Sequence, residues 1–130
     1  MGQQTDRIDT PSLSRPLVLI IEDDPVIGMM LQDMVRLLGF EPIGPAGSVA
    51  AAIQLLDAHP RIAAAVLDCN LAHEYVWPLA DRLDGHNVPF IFSTGYGEAG
   101  IPERFAQRTV LAKPYSTALL KAALARIMTK

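Results

Sequence analysis

Leu17-Val18-Leu19-Ile20-Ile21 is an unbroken apolar run, and it stops at three consecutive acids, Glu22-Asp23-Asp24. A run this short and this uniformly apolar suits a strand covered on both faces, the situation inside a parallel sheet. The residues that follow supply the covering. Asp24 can cap a helix with Pro25 in its first position, and Ile27, Met30, Leu31, Met34, Leu37 and Leu38 recur at helical spacing until Gly39 ends it.

The same strand-then-helix alternation continues without a sequence repeat. Phe40 to Ile43 reads as a weak strand, and Ser48 caps a helix carrying Val49, Ala52, Ile53 and Leu56 that Pro60 ends. Ala63 to Leu67 is a third strand, Val76 to Leu83 a helix with Pro78 in its first turn, and Val88 to Phe92 a fourth strand. Thr109 to Ala112 is a fifth, and a last helix behind Ser116 presents Leu119, Leu120, Ala123, Leu124 and Ile127 on one face. Five strands alternating with helices predict an α/β fold: a doubly wound five-stranded parallel sheet, helices on both faces, functional residues beyond the carboxyl ends of the strands.

One exception to the alternation is expected. Gly95-Tyr96-Gly97-Glu98-Ala99-Gly100-Ile101-Pro102 holds three glycines and a proline, and each mid-helix glycine costs about 1 kcal/mol relative to alanine. The fourth helix is therefore predicted to be shortened, near Pro102 to Gln107, or replaced by a mobile loop.

Residues 1–16 are polar and aperiodic and read as a disordered tail, leaving 17–130 as one domain. Of the chain's 130 residues 50% are apolar, enough for a self-sufficient core. Fourteen acidic against eleven basic side chains disfavour nucleic acid as a direct ligand. A lone cysteine, Cys69, forms no internal disulfide, and no stretch is apolar enough for a signal peptide or a membrane span, so a cytoplasmic protein is expected.

The predicted strand ends carry the chemistry. Glu22-Asp23-Asp24 follows the first strand, Asp68 the third, Thr94 the fourth and Lys113-Pro114 the fifth. Carboxylates gathered at one edge repel each other, and a divalent cation with oxygen ligands, most naturally Mg²⁺, relieves that repulsion. Acids, a lysine and a hydroxyl together suggest phosphoryl chemistry in which one carboxylate is the nucleophile.

In that order these residues resemble the receiver domains of two-component response regulators, over the stretch from Leu17 to the end of the chain. The resemblance implies a flavodoxin-like fold, with Asp68 as phosphoacceptor and Thr94 and Lys113 holding phosphoryl oxygens. It implies Mg²⁺ bound by Asp23 and Asp68 directly, by Glu22 through water, and by the backbone carbonyl of Asn70. Lys113 would pair with Asp68 at rest, the Lys113–Pro114 peptide would be cis, and Asn70 and Tyr96 would tune loss of the phosphoryl group. Val110 stands where receivers usually carry an aromatic switch residue. Phe92-Ser93-Thr94-Gly95-Tyr96 is similar to the subgroup whose fourth strand ends Phe-Ala-Thr-Gly and which often lacks that aromatic, with Ser93 in place of alanine. A sensor histidine kinase, of the HWE type in this subgroup, would be the phosphodonor.

The expected function is a single-domain response regulator that signals by altered protein binding, by onward phosphotransfer or as a phosphate sink. It would be no enzyme beyond its own Mg²⁺-dependent phosphorylation and dephosphorylation. The alternative, an aspartyl-phosphate phosphatase of the haloacid dehalogenase kind, carries Asp-x-Asp at its nucleophile, whereas this chain reads Asp68-Cys69-Asn70. A dinucleotide-binding fold is disfavoured because no Gly-x-Gly-x-x-Gly follows the first strand. An adaptor that had lost phosphorylation would lack site residues, and Glu22, Asp23, Asp68, Thr94 and Lys113 are all present. Simpler roles suit the remaining residues: Asp24 as a helix cap, Cys69 as a buried small hydrophobe, His59, His73 and His86 as surface residues, Trp77 as packing.

Overall fold

A computed structural model describes residues 15–71, 73–95 and 100–129. Most of the expected N-terminal tail, and Tyr96, lie outside the described residues. The elements are β1 (Leu17–Ile21), α1 (Pro25–Leu37), β2 (Glu41–Ala46), α2 (Val49–Ala58), β3 (Ile62–Asp68), a hairpin of β4 (Asn70–Leu71) and β5 (Glu74–Tyr75), α3 (Trp77–Gly85), β6 (Phe90–Thr94), a 3₁₀ turn (Glu103–Phe105), β7 (Val110–Ala112) and α4 (Thr117–Met128).

The main sheet is parallel throughout, in the order β2-β1-β3-β6-β7. The chain steps one way from β1 to β2 and the other way to β3, so right-handed crossovers put helices on both faces. Alternate strand residues feed the two layers. Val18, Ile20, Ala64, Val66 and Ile91 pack with Leu31, Val35, Leu120, Ala123 and Leu124 of α1 and α4. Leu19, Ile21, Ala65, Leu67, Phe90 and Phe92 pack with Ala52, Leu56, Leu79 and Leu83 of α2 and α3. The switch point between β1 and β3 opens a crevice at the carboxyl ends of those strands.

Local chemistry explains the boundaries. Asp24 Oδ1 accepts from the amides of Val26 and Ile27, at 2.9 and 3.2 Å, which starts α1. Ser48 and Ser116 cap α2 and α4 in the same manner, each bonding the amide three residues on at 3.1 Å.

Several expectations shift. The buried stripe of α1 is Gly28, Leu31 and Val35, with Ile27, Met34 and Leu38 packed beside it. Met30 and Leu37 are 56% and 79% exposed, not in the core. A Cβ on Gly28 would meet Pro45 Cγ at 2.8 Å, so the helix approaches β2 through its glycine and the rotation of its apolar face follows. The second strand runs on to Ala46 despite Pro42, Gly44 and Pro45, because β2 is an edge strand and needs donors on only one side. Gly44, at φ +98°, has its Cα against the Ile20 carbonyl, where a Cβ would come within 2.8 Å.

The β4–β5 hairpin was not anticipated. Between β6 and β7 the described residues contain only the 3₁₀ turn, in agreement with a shortened fourth helix. Two ion pairs hold that turn and the stretch after it to α3, Arg104 to Asp81 at 2.9 Å and Arg108 to Asp84 at 2.8 Å. Phe105 inserts among Phe90, Phe92 and Trp77, with ring centroids 5.5 to 6.1 Å away.

Candidate functional site

Each predicted strand end reaches the same crevice. Glu22 directly follows β1, its amide held by the Ala46 carbonyl at 2.9 Å, and the residue is 4% exposed. Asp68 is the last residue of β3 and 6% exposed. Thr94 ends β6, and its carbonyl accepts from the Lys113 amide at 2.8 Å, bringing Lys113 in from beyond β7. The Lys113–Pro114 peptide is cis.

Lys113 Nζ donates to Glu22 Oε1 at 2.9 Å and to Asp68 Oδ2 at 3.2 Å. The pairing with Asp68 expected from the sequence is thus present, and shared with Glu22. The second oxygen of each carboxylate takes a backbone amide, Asp24 to Glu22 Oε2 and Asn70 to Asp68 Oδ1, both at 3.1 Å. Asp23 completes a group in which one carboxylate oxygen each from Glu22, Asp23 and Asp68 lies within 4.8 Å of the others.

Burial raises the Glu22 pKa, the Lys113 and Asp24 hydrogen bonds oppose the rise, and the neighbouring Asp68 charge adds to it. Burial alone would lower the pKa of Lys113. The hydrogen bonds and charges of Glu22 and Asp68 outweigh it, so the ammonium is held above its usual range. Three carboxylate oxygens gathered within 4.8 Å, two of them on residues paired with Lys113, are hard oxygen donors of the kind that suits Mg²⁺.

The surroundings are apolar. Cys69 is 4% exposed, and burial together with the Asp68 charge pushes its thiol up to about 12, so it packs as a small hydrophobe. Val110 pairs with Phe92 in the sheet and packs against the layer that holds Phe105 and Trp77, so no aromatic side chain occupies the usual switch position. Trp77 stacks on Tyr75 at 5.9 Å and meets Phe92 edge-on at 5.5 Å. His73 and His86 are exposed and His59 half-buried.

Sequence reasoning missed three groups near the site. Ser93 stands opposite Asp68 in the β3–β6 register, and its hydroxyl and that of Tyr115 are both buried. Burial raises the phenol pKa and the Ser93 hydroxyl lowers it, so the two are neighbours, yet neither reaches a partner at hydrogen-bond geometry. Glu74 is the third. Its carboxylate bonds the Val49 amide, 25 residues earlier in the chain, and no local pattern signals so distant a partner.

No protein-family model matches the chain. The curated phyllosphere-induced regulator PhyR of Methylorubrum extorquens is 32% identical over 114 residues, which are 85% of this chain and 43% of that protein. The chain thus spans less than half the length of this relative. Among solved structures, SdrG of Sphingomonas melonis Fr1 is 36% identical with a TM-score of 0.78, covering 88% of this chain and 98% of SdrG. The BeF3-activated conformation of SdrG from Pseudomonas melonis Fr1 has a TM-score of 0.76 at 36% identity, over 89% and 99% of the two chains. The receiver (REC) domain of the Erythrobacter litoralis PhyR response regulator has a TM-score of 0.75 at 30% identity, over 89% and 92%. No helix among the described residues is long and apolar enough to cross a membrane.

Proposed function

The chain belongs to the response regulator receiver domains, and on that premise we propose that it takes a phosphoryl group onto Asp68 from the phosphohistidine of a sensor histidine kinase, of the HWE type, in the cytoplasm. The observation that carries the reading is the Lys113 ammonium bridging Glu22 and Asp68 beside Asp23, at the end of a crevice that four strand ends define.

The transfer balances as a displacement at phosphorus. A bond forms from an Asp68 carboxylate oxygen to phosphorus, and the bond from phosphorus to the donor imidazole nitrogen breaks, the electron pair leaving with the imidazole. Asp68 reaches the phosphoryl group because its backbone ends a central strand and its Oδ1 is oriented by the Asn70 amide. Lys113, already charged and tethered through its own amide to Thr94, holds a phosphoryl oxygen once Asp68 carries the acyl phosphate. The Thr94 hydroxyl holds another.

Glu22, Asp23, Asp68 and the Asn70 carbonyl are the groups that would hold Mg²⁺. When bound, that ion supplies the positive charge that screens the carboxylates from the incoming phosphoryl oxygens. Asn70, whose amide bonds Asp68, is a residue that would set the lifetime of the acyl phosphate, and Tyr96, expected to share that role, lies outside the described residues. The output is a changed protein contact, an onward transfer or a phosphate sink, since catalysis is confined to the domain's own phosphorylation and dephosphorylation.

The test is intact mass after incubation with Mg²⁺ and a small-molecule phosphodonor. One base-labile phosphoryl group is expected on the wild type and none on Asp68→Ala. Phosphoryl mass persisting in Asp68→Ala, or appearing on the wild type without divalent cation, overturns the assignment.

A further inference from the structure

The loop that leaves Asp68 is a two-strand hairpin with anchors on both flanking helices. Asn70 pairs with Tyr75 and Leu71 with Glu74, so whatever fixes β5 fixes the register of β4. Glu74 fixes it on one side, its Oε2 accepting from the Val49 amide at 2.9 Å. That amide is the first of α2 and belongs to the unpaired donors of the helix N-terminus, where a carboxylate is favoured by hydrogen bonding and by the helix dipole. The α2 cap, Ser48, takes a different amide, that of Ala51, so Glu74 is not redundant with it. Tyr75 fixes the other side by lying flat on Trp77 at the start of α3, the rings 9° from parallel. Leu71, 6% exposed, plugs the hairpin into the core between them.

Both ends of the Glu74 bond lead back to the acidic crevice. Asn70, on the strand that β5 holds, gives its amide to Asp68. Gly47, two residues before Val49, faces Asp23: a Cβ added to it would meet Asp23 Cα at 3.8 Å, so this turn lies alongside the acid. We propose that Glu74 is a positioning residue for the divalent-cation site: by bonding the Val49 amide it locks the hairpin against the N-terminus of α2 and so fixes Asn70 and Asp68 relative to Asp23. The inference rests on the proposed Mg²⁺ site, and it adds to that site a residue that touches neither the ion nor the phosphoryl group. Outer contacts of this kind set how well the donors are arranged before the ion arrives.

Calorimetric titration with Mg²⁺ alone, on wild type, Glu74→Ala, Glu74→Gln and Ser48→Ala, separates positioning from simple helix capping. Glu74→Ala is expected to weaken Mg²⁺ binding about fivefold, Glu74→Gln to recover part of that because its amide oxygen still accepts from Val49, and Ser48→Ala to shift it less than about twofold although it too removes a cap from α2. In the metal-free proteins, amide exchange at Asn70 and Leu71 should quicken in Glu74→Ala and not in Ser48→Ala. Wild-type affinity in Glu74→Ala overturns the proposal and leaves the Mg²⁺ site standing. Equal losses in Glu74→Ala and Ser48→Ala also overturn it, because the effect would then pass through the helix. No binding by the wild type removes the metal site and this inference together.

Discussion

Replacing Lys113 by alanine removes the cation that bridges two buried carboxylates and leaves both acids in place. The side chains of Glu22 and Asp68 are 2% and 8% exposed, and Lys113 reaches them at 2.9 and 3.2 Å. Removing one partner of a buried ion pair costs about 3–5 kcal/mol, chiefly for the charge left behind. The Lys113 side chain is itself 22% exposed, so water takes over part of the lost interaction, and about 2–3 kcal/mol is expected near neutral pH without divalent cation. The pH dependence is the sharper signature. The Glu22 pKa is already raised above 4.5 by burial, and the Lys113 hydrogen bond is the largest influence opposing the rise, so in the variant it climbs further. A carboxyl with a raised pKa in the folded state favours folding while protonated. Its contribution is complete below the unfolded pKa and drains away as pH rises through the folded one. The deficit of Lys113→Ala should therefore be smallest at acid pH, where Glu22 is protonated, and grow as pH rises toward and past neutrality. In the wild type Lys113 has the complementary behaviour, its stabilisation lasting until pH passes its own raised value, above 10.5. Urea unfolding of both proteins in chelator, from acid pH to past neutrality, measures the difference directly. A deficit of the same size at both ends of the range would refute the ionic reasoning and reduce Lys113 to its packing.

Three further outcomes are expected. Gly28→Ala should lower stability by about 1 kcal/mol in urea unfolding, because crowding of the new Cβ against the stiff Pro45 ring exceeds the gain in helix propensity, and a raised midpoint would contradict it. Ser93→Ala should leave stability unchanged or raise it by up to about 1 kcal/mol, since the hydroxyl it removes is buried without a partner, and a clear loss would mean a real bond to Tyr115. Cys69, with a thiol near 12, should react with a disulfide reagent at mildly alkaline pH only as fast as the protein unfolds, and rapid labelling of the native state would contradict its burial.

The strand ends were legible because apolar runs such as Leu17–Ile21 stop abruptly at ionisable residues, and in a parallel sheet those stops fall on one edge. Three of them, Glu22, Asp68 and Lys113, meet within hydrogen-bond distance in the folded chain. What escaped depends on contacts that leave no local period. The face of α1 turned because Gly28, absent from any count of large apolar residues, is where the helix touches Pro45. The second strand, read as Phe40 to Ile43, runs on to Ala46 through Gly44 and Pro45, which only its edge position makes tolerable. The β4–β5 hairpin has two residues per strand, too few for an alternation, and is fixed by the Val49 amide and the Trp77 ring, outside its own sequence. Ser93 was visible as a substitution, but the burial of its hydroxyl and of the Tyr115 hydroxyl was not.

The prolines of β2 also bear on how these molecules behave when crowded. An open parallel sheet has two edges, and each is a template on which a second chain can add a strand. Here one edge is β2, six residues of which two lack an N–H, and the other is β7, only three residues long. Neither presents a continuous ladder of donors and acceptors to a neighbour. Growth of the sheet from molecule to molecule, the first step toward fibrillar aggregates, is thus blocked at both borders by the backbone itself, and the surface side chains remain free to change for the sake of partners.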